Sequence, residues 1–150
     1  MTSPFVRFGG EFRDGPDLSI GNRLLYDHLL EYVAQGRVEY TINGETHLLK
    51  PGNVAVIPPR SIHSIRAASR GPVVRQCVHF DFVFEGGYES MPAWEWHPSP
   101  VRSREVHDGR EFLEALELRT VTNVSSYPRV GALFSRVLAE LYHAEPGYQL

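Results

Sequence analysis

The clearest pattern along the chain is a pair of β-prone runs, Arg37 to Ile42 and Glu45 to Leu49, joined by Asn43-Gly44. Asn-Gly supplies the two left-handed residues of a tight hairpin turn, so the pair reads as a β-hairpin. A two-residue loop fixes the register. Ile42 falls opposite Glu45, Tyr40 opposite His47 and Val38 opposite Leu49, with Thr41 opposite Thr46 on the other face. Pro51-Gly52 marks the next turn, and Asn53 to Ile57 is a short apolar run suited to a buried strand, ended by Pro58-Pro59. After Gly71-Pro72 the run from Val73 to Phe84 alternates. Val78, Phe80, Phe82 and Phe84 share one face; Cys77, His79, Asp81 and Val83 share the other. Alternation leaves open which face lies inside.

Between Arg23 and Ala34 the apolar positions Leu24, Leu25, Leu29, Tyr32 and Val33 have helical spacing. The Gly36 turn and the hairpin that follow assign the segment to strand instead. Residues 85–108, with Gly86-Gly87, Pro92, Pro98 and Pro100, read as a loop that carries Trp94 and Trp96. Those rings either cap the core or close over a pocket, because their surface is costly to expose. Helical patterns follow. The first has Asp108 as its N-cap, runs from Arg110 to about Val121, and shows Phe112, Leu113 and Leu116 on one face. The second opens at Pro128 and carries a full apolar stripe, Val130, Leu133, Phe134, Val137, Leu138, Leu141 and Tyr142, before Pro146-Gly147. The chain thus divides into an irregular arm or short edge strand over 1–22, a β domain over 23–108 and a helical segment over 109–150.

Composition narrows the function classes. The 150 residues suit one domain, and 42% hydrophobic with 22% charged residues excludes a disordered chain. A net charge of -3 gives no general attraction to a phosphate backbone. The lone Cys77 forms no internal bridge, no apolar run is long enough to span a bilayer, and Met1 to Phe12 lacks a signal-peptide plan. The expected location is the cytoplasm. No phosphate-binding glycine loop or nucleophile elbow is present.

The run from Tyr26 to about Phe82 resembles a cupin barrel. Gly52, Pro58, Arg60 (where glycine is usual) and His63 match the second cupin motif in spacing, while the first motif keeps only its closing Gly36. Within the cupins, the order of Tyr26 to Gly36, Pro58-Pro59-Arg60-Ser61-Ile62-His63 and Val78 to Phe82 is most similar to the N-terminal effector-binding domain of AraC-type bacterial transcription regulators. The resemblance implies a mostly β fold: a cupin, or double-stranded β-helix jelly-roll, barrel followed by two C-terminal α-helices. It implies a small-molecule effector, a sugar or a small acid, bound in the barrel. It also implies a homodimer through the C-terminal helices, with Val130, Leu133, Phe134, Val137, Leu138 and Leu141 at the contact. DNA would be bound only through a helix-turn-helix domain that these residues lack, so the chain is either truncated or a stand-alone sensor.

Many cupins are metal enzymes, and a metal-dependent isomerase or oxygenase is the alternative reading; a filled barrel that serves only dimerisation is a third. Metal-binding cupins take two histidines and a glutamate from the first motif and one histidine from the second. Here the glutamate slot falls on Leu29 and the histidine slots on Asn22 or Arg23 and Leu24 or Leu25. Only His63 remains, unless His28 and Glu31 join it in an irregular set. The expectation is therefore no metal, no cofactor and no catalytic residue. If Leu29 points inward, Glu31 and Val33 do too. A glutamate inside a barrel needs a partner, and Arg23 and Arg75 are the candidates. His63, His79 and Tyr40 complete the expected pocket wall, and Trp94 is expected near its mouth as part of a lid.

Overall fold

The computed structural model describes residues 5–82, 92–96 and 108–143. In chain order these form β1 (Phe5–Asp14), β2 (Ser19–Leu25), β3 (His28–Gln35), β4 (Val38–Ile42), β5 (Glu45–Leu49), β6 (Asn53–Ile57), β7 (Ile62–Ala67), β8 (Val73–Asp81), β9 (Trp94–Trp96), α1 (Arg110–Ala115), β10 (Val121–Asn123) and α2 (Arg129–His143). The strands build two antiparallel sheets. Sheet I has the order β1-β8-β3-β6-β10, and sheet II the order β5-β4-β7-β2-β9.

The hairpin forms in the register its turn dictates, with Tyr40 opposite His47 and Val38 opposite Leu49. Asn43 and Gly44 take φ of 49° and 87°. Thr41 and Thr46 share a hydroxyl hydrogen bond of 3.0 Å on the outer face. The ambiguous segment is strand: β2 and β3 flank a break at Tyr26-Asp27. Its helical spacing arises because β3 is covered on both faces. Leu29 and Val33 point between the sheets, while Leu30 and Tyr32 point beneath α2. The same double cover explains the unbroken apolar run of β6, in which Ala55 and Ile57 enter the space between the sheets and Val54 and Val56 meet α2.

The structure also fixes the face of β8. Val78 and Phe80 pack outward in the cluster with Phe134 and Leu138, so Arg75, Cys77 and His79 project inward. At Arg60, where the cupin turn usually has glycine, φ is +63°, a left-handed conformation that favours glycine.

Two expected boundaries change. Of the irregular arm or short edge strand expected over 1–22, the described residues show the edge strand: β1 lies at the edge of sheet I and pairs with β8 along its length, and β2 already begins at Ser19. The sheets therefore include residues from Phe5 onward, ahead of the expected boundary at Arg23. Gly9 has a packing role there, since a Cβ would come within 2.8 Å of Leu138 Cδ2 and Leu141 Cδ1. The first helix is short: Glu117 turns left-handed with φ of 53°, and β10 then pairs with β6 instead of prolonging α1. Asp108 still accepts the Arg110 N–H at 3.2 Å. Most of the loop expected over 85–108, together with Phe84 and Pro146-Gly147, lies outside the described residues.

The helical stripe needs a correction. Phe134 and Leu138 are buried against sheet I, with Val130, Val137 and Leu141 packed beside them. Their apolar surface is used within the chain, which removes Phe134 and Leu138 from a contact with a second subunit. Leu133, 56% exposed, and Tyr142, 67% exposed, remain on the outer side.

Candidate functional site between the sheets

The space between the sheets is apolar at its centre and polar toward one side, and each polar side chain there is placed by strand alternation. Glu31 follows Leu29 on the inner face of β3, opposite Cys77 of β8. Tyr40 is inward on β4, Arg23 on β2 and His63 on β7, with Arg23 and His63 neighbours in register. Arg23, Glu31, Tyr40, His63, Arg75, His79 and Trp94, the positions expected to line a pocket, all meet here, in two groups.

The first group centres on Arg75. Its Nη1 donates to Glu31 Oε1 at 2.9 Å and to the Tyr40 hydroxyl at 3.3 Å. Its Nε and Nη2 donate to Asp14 Oδ2 at 3.1 and 3.0 Å. Burial opposes the charge of Arg75, but Glu31 and Tyr40 outweigh it and raise its pKa above the ordinary arginine value. Burial, reinforced by Glu31, holds the Tyr40 hydroxyl protonated well above its usual range. The same two causes push the Cys77 thiol up to about 12, so it is no nucleophile at neutral pH. Of the two partners expected for Glu31, Arg75 is the one it has. Arg23 belongs elsewhere, because its strand lies in the opposite sheet beside His63.

The second group holds Arg23, His63, His79 and Trp94. Arg23 Nε donates to His63 Nε2 at 3.0 Å, and the guanidinium lies 4.8 Å from the centre of the Trp94 ring. Burial lowers the Arg23 pKa against the pull of Glu31. His63 is fully buried, and burial followed by the Arg23 charge lowers its pKa to about 3, so the ring is neutral. Since Nε2 accepts from Arg23, the ring proton sits on Nδ1, and Nδ1 has no partner among the described residues. His79 Nδ1 pairs with Asp27 Oδ1 at 2.8 Å, and Arg7 reaches Asp27 Oδ2 at 3.4 Å. Burial raises the Asp27 carboxyl pKa, opposed by the bond from His79.

Trp94 belongs to β9, opposite Leu25 of β2, and packs against the central cluster, His79 and Phe8. Asp14, Asp27 and Arg7 were not legible as site residues. Arg7 and Asp14 fall in the expected arm or edge strand and Asp27 in the Arg23 to Ala34 segment, and nothing in the local pattern marks their partners. The irregular metal set is split. His28 lies on the outer face of β3, bonded to Asp81 at 3.2 Å and to the Gly109 carbonyl at 3.1 Å among Phe80, Phe82 and Phe112. Glu31 and His63 lie inside. Among the described residues no three His, Cys, Asp or Glu side chains are grouped to hold a metal ion.

Two surface clefts lie apart from this cluster. One of about 300 Å³ runs between Ile42, His47, Arg110 and Leu118, and one of about 600 Å³ crosses the outer face of sheet II between Asn22, Thr41, Ser64 and Arg66. Neither contains any of the expected site residues. The buried cluster is the stronger candidate, because its charges carry the desolvation cost that a surface cleft avoids.

Comparison with curated proteins finds no match. Among solved structures, the chain is similar to the cupin domain of Cnp3 from Schizosaccharomyces pombe, at 19% identity and TM-score 0.46, over 47% of this chain and 53% of that one. A cupin superfamily protein from Desulfitobacterium hafniense DCB-2 is similar at 19% identity and TM-score 0.45, over 49% and 65%. A predicted oxalate decarboxylase from Thermotoga maritima is similar at 19% identity and TM-score 0.47, over 52% and 68%. The alignment thus spans about half the length of the first of these proteins. A family model described as the AraC-like ligand binding domain matches residues 10–150. With its jelly-roll of two antiparallel sheets and its C-terminal helices, the chain belongs to the AraC-like ligand binding domain family.

Proposed function

We propose that the chain is the effector-sensing and dimerisation domain of a bacterial AraC-type transcription regulator, without catalytic activity of its own. The effector, a sugar or a small acid, binds between the sheets, and the state of that site is passed to a DNA-binding helix-turn-helix domain outside these residues. The cytoplasm is the matching location. One observation carries this reading: the neutral His63, fully buried, with an Nδ1 donor that has no acceptor among the described residues. A buried donor without a partner is costly, and a ligand oxygen would satisfy it. The metal-enzyme alternative finds no such support, since Leu29 fills the glutamate slot and His28 faces away from His63.

A thermal-shift screen of sugars and small acids against the wild type and His63→Ala tests the proposal. Ligands that stabilise the wild type should bind the variant more weakly by about 1–3 kcal/mol. Equal binding to both proteins would take His63 out of the site. The homodimer is then expected on the outer side of α2, around Leu133 and Tyr142. Leu133→Glu should yield a folded monomer by light scattering, and a variant that stays dimeric would move the contact elsewhere.

A further inference from the structure

Among the described residues three arginines are buried or half-buried, and two of them are neutralised by carboxylates. Arg75 has Glu31 and Asp14, and Arg7 has Asp27. Arg23 projects between the sheets beside His63, yet no carboxylate lies within ion-pair distance of it among the described residues. Its Nε is engaged by His63 and its face by Trp94. That leaves the edge formed by Nη1 and Nη2, a planar fork of N–H donors, without an acceptor among the described residues. Stacking on an indole holds the charge in place but does not neutralise it. Glu31 attracts Arg23 from a distance, and burial still outweighs that attraction.

We propose that the effector is a small monocarboxylate whose two oxygens pair with the Nη1–Nη2 edge of Arg23 above Trp94. This rests on the reading of the interior as the effector site. Carboxylate geometry matches the fork in a bidentate pair and supplies the missing charge. A neutral polyol would accept hydrogen bonds but leave the charge uncompensated. A phosphate dianion would need a second free cation, and the charge of Arg75 is already neutralised by Glu31 and Asp14. Leu25, two residues along the same face of β2 and opposite Trp94, offers apolar surface to the carbon skeleton. The unpaired Nδ1 donor of His63 points the same way, toward a ligand that brings acceptors.

The test uses Trp94 as reporter, in a chain in which the other tryptophan, Trp96, is changed to phenylalanine. Acetate, benzoate, their amides and neutral sugars are titrated while fluorescence and melting temperature are followed. A saturable response to acetate or benzoate is expected, with the amides weaker by about tenfold or more. Arg23→Gln should abolish the carboxylate response, and Arg23→Lys, which keeps the charge but loses the fork, should fall between. Amides that bind as well as acids, carboxylate binding unchanged in Arg23→Gln, or no response to either acid would overturn the proposal. A sugar response lost in His63→Ala but kept in Arg23→Gln would overturn the carboxylate class and leave the interior site standing. A response that survives both substitutions would remove the interior site as well.

Discussion

Replacing Arg75 by methionine is expected to destabilise the fold by about 3–5 kcal/mol, the cost of stranding a buried charge. Glu31 is 1% exposed and sits between Leu29 and Val33 on the inner face of β3, so water does not replace the lost partner. Tyr40 would keep its hydroxyl but lose the donor that fixes it, and Asp14 would be freed to solvent. At this chain length the loss corresponds to a fall in Tm of roughly 6–20 °C. The double variant Arg75→Met with Glu31→Gln should recover much of it, because a neutral amide costs less to bury than an unpaired carboxylate. The exposed pair Arg66–Glu39 provides the contrast, since Arg66→Met should cost at most about 1 kcal/mol. Calorimetric unfolding of these variants checks the prediction. A loss below about 1 kcal/mol for Arg75→Met would mean that the interior is wet and the pair screened.

Acid is expected to weaken the fold through His63. In the unfolded chain this ring takes up a proton near pH 6.5, whereas in the folded chain its pKa is lowered to about 3. Burial comes first among the causes, followed by the charge of Arg23, with His79 and Arg75 adding to it. Between those two values the unfolded state binds more protons, so stability falls as pH is lowered through the window and is unaffected by this group above it. The slope is about 1.4 kcal/mol per pH unit, which accumulates to about 4–5 kcal/mol by pH 3. Asp27 acts in the opposite sense. Its raised pKa means that the folded state gains protons first on acidification, which offsets part of the loss. His63→Gln should flatten the pH profile of denaturant unfolding between about pH 6.5 and 3. A variant with the wild-type slope would assign the acid sensitivity to other groups.

The sequence carried the strands whose chemistry is local. Asn43-Gly44 set the hairpin register, and Pro58-Pro59 and Gly71-Pro72 bounded β6 and β8, because turn residues act within a few positions. The order of the cupin-like segments pointed to the right family, and period two from Leu29 placed Glu31 inside. Features that depend on distant partners were not legible. Whether β8 buries its aromatic or its polar face depends on α2 covering sheet I from outside. The stripe of α2 looks alike whether it meets a sheet or a second subunit, and the packing of Phe134 and Leu138 on sheet I, with Gly9 close against Leu138, identifies the sheet as its partner. The first residues read as an arm because Gly9, Gly10 and Gly15 lower strand propensity, which pairing along β8 overrides. Asp14 and Asp27 became site residues only through strands that are far apart in sequence.

The central claim is that a ligand enters the polar space between the sheets. The most direct measurement is the solved structure of the chain with a ligand taken from the thermal-shift screen. The account predicts ligand density between sheets I and II, with oxygen atoms within hydrogen-bond distance of His63 Nδ1 or the Arg23 guanidinium. Density confined to the cleft beside Arg110, or to the groove over Thr41 and Ser64, with the interior unchanged, would contradict it.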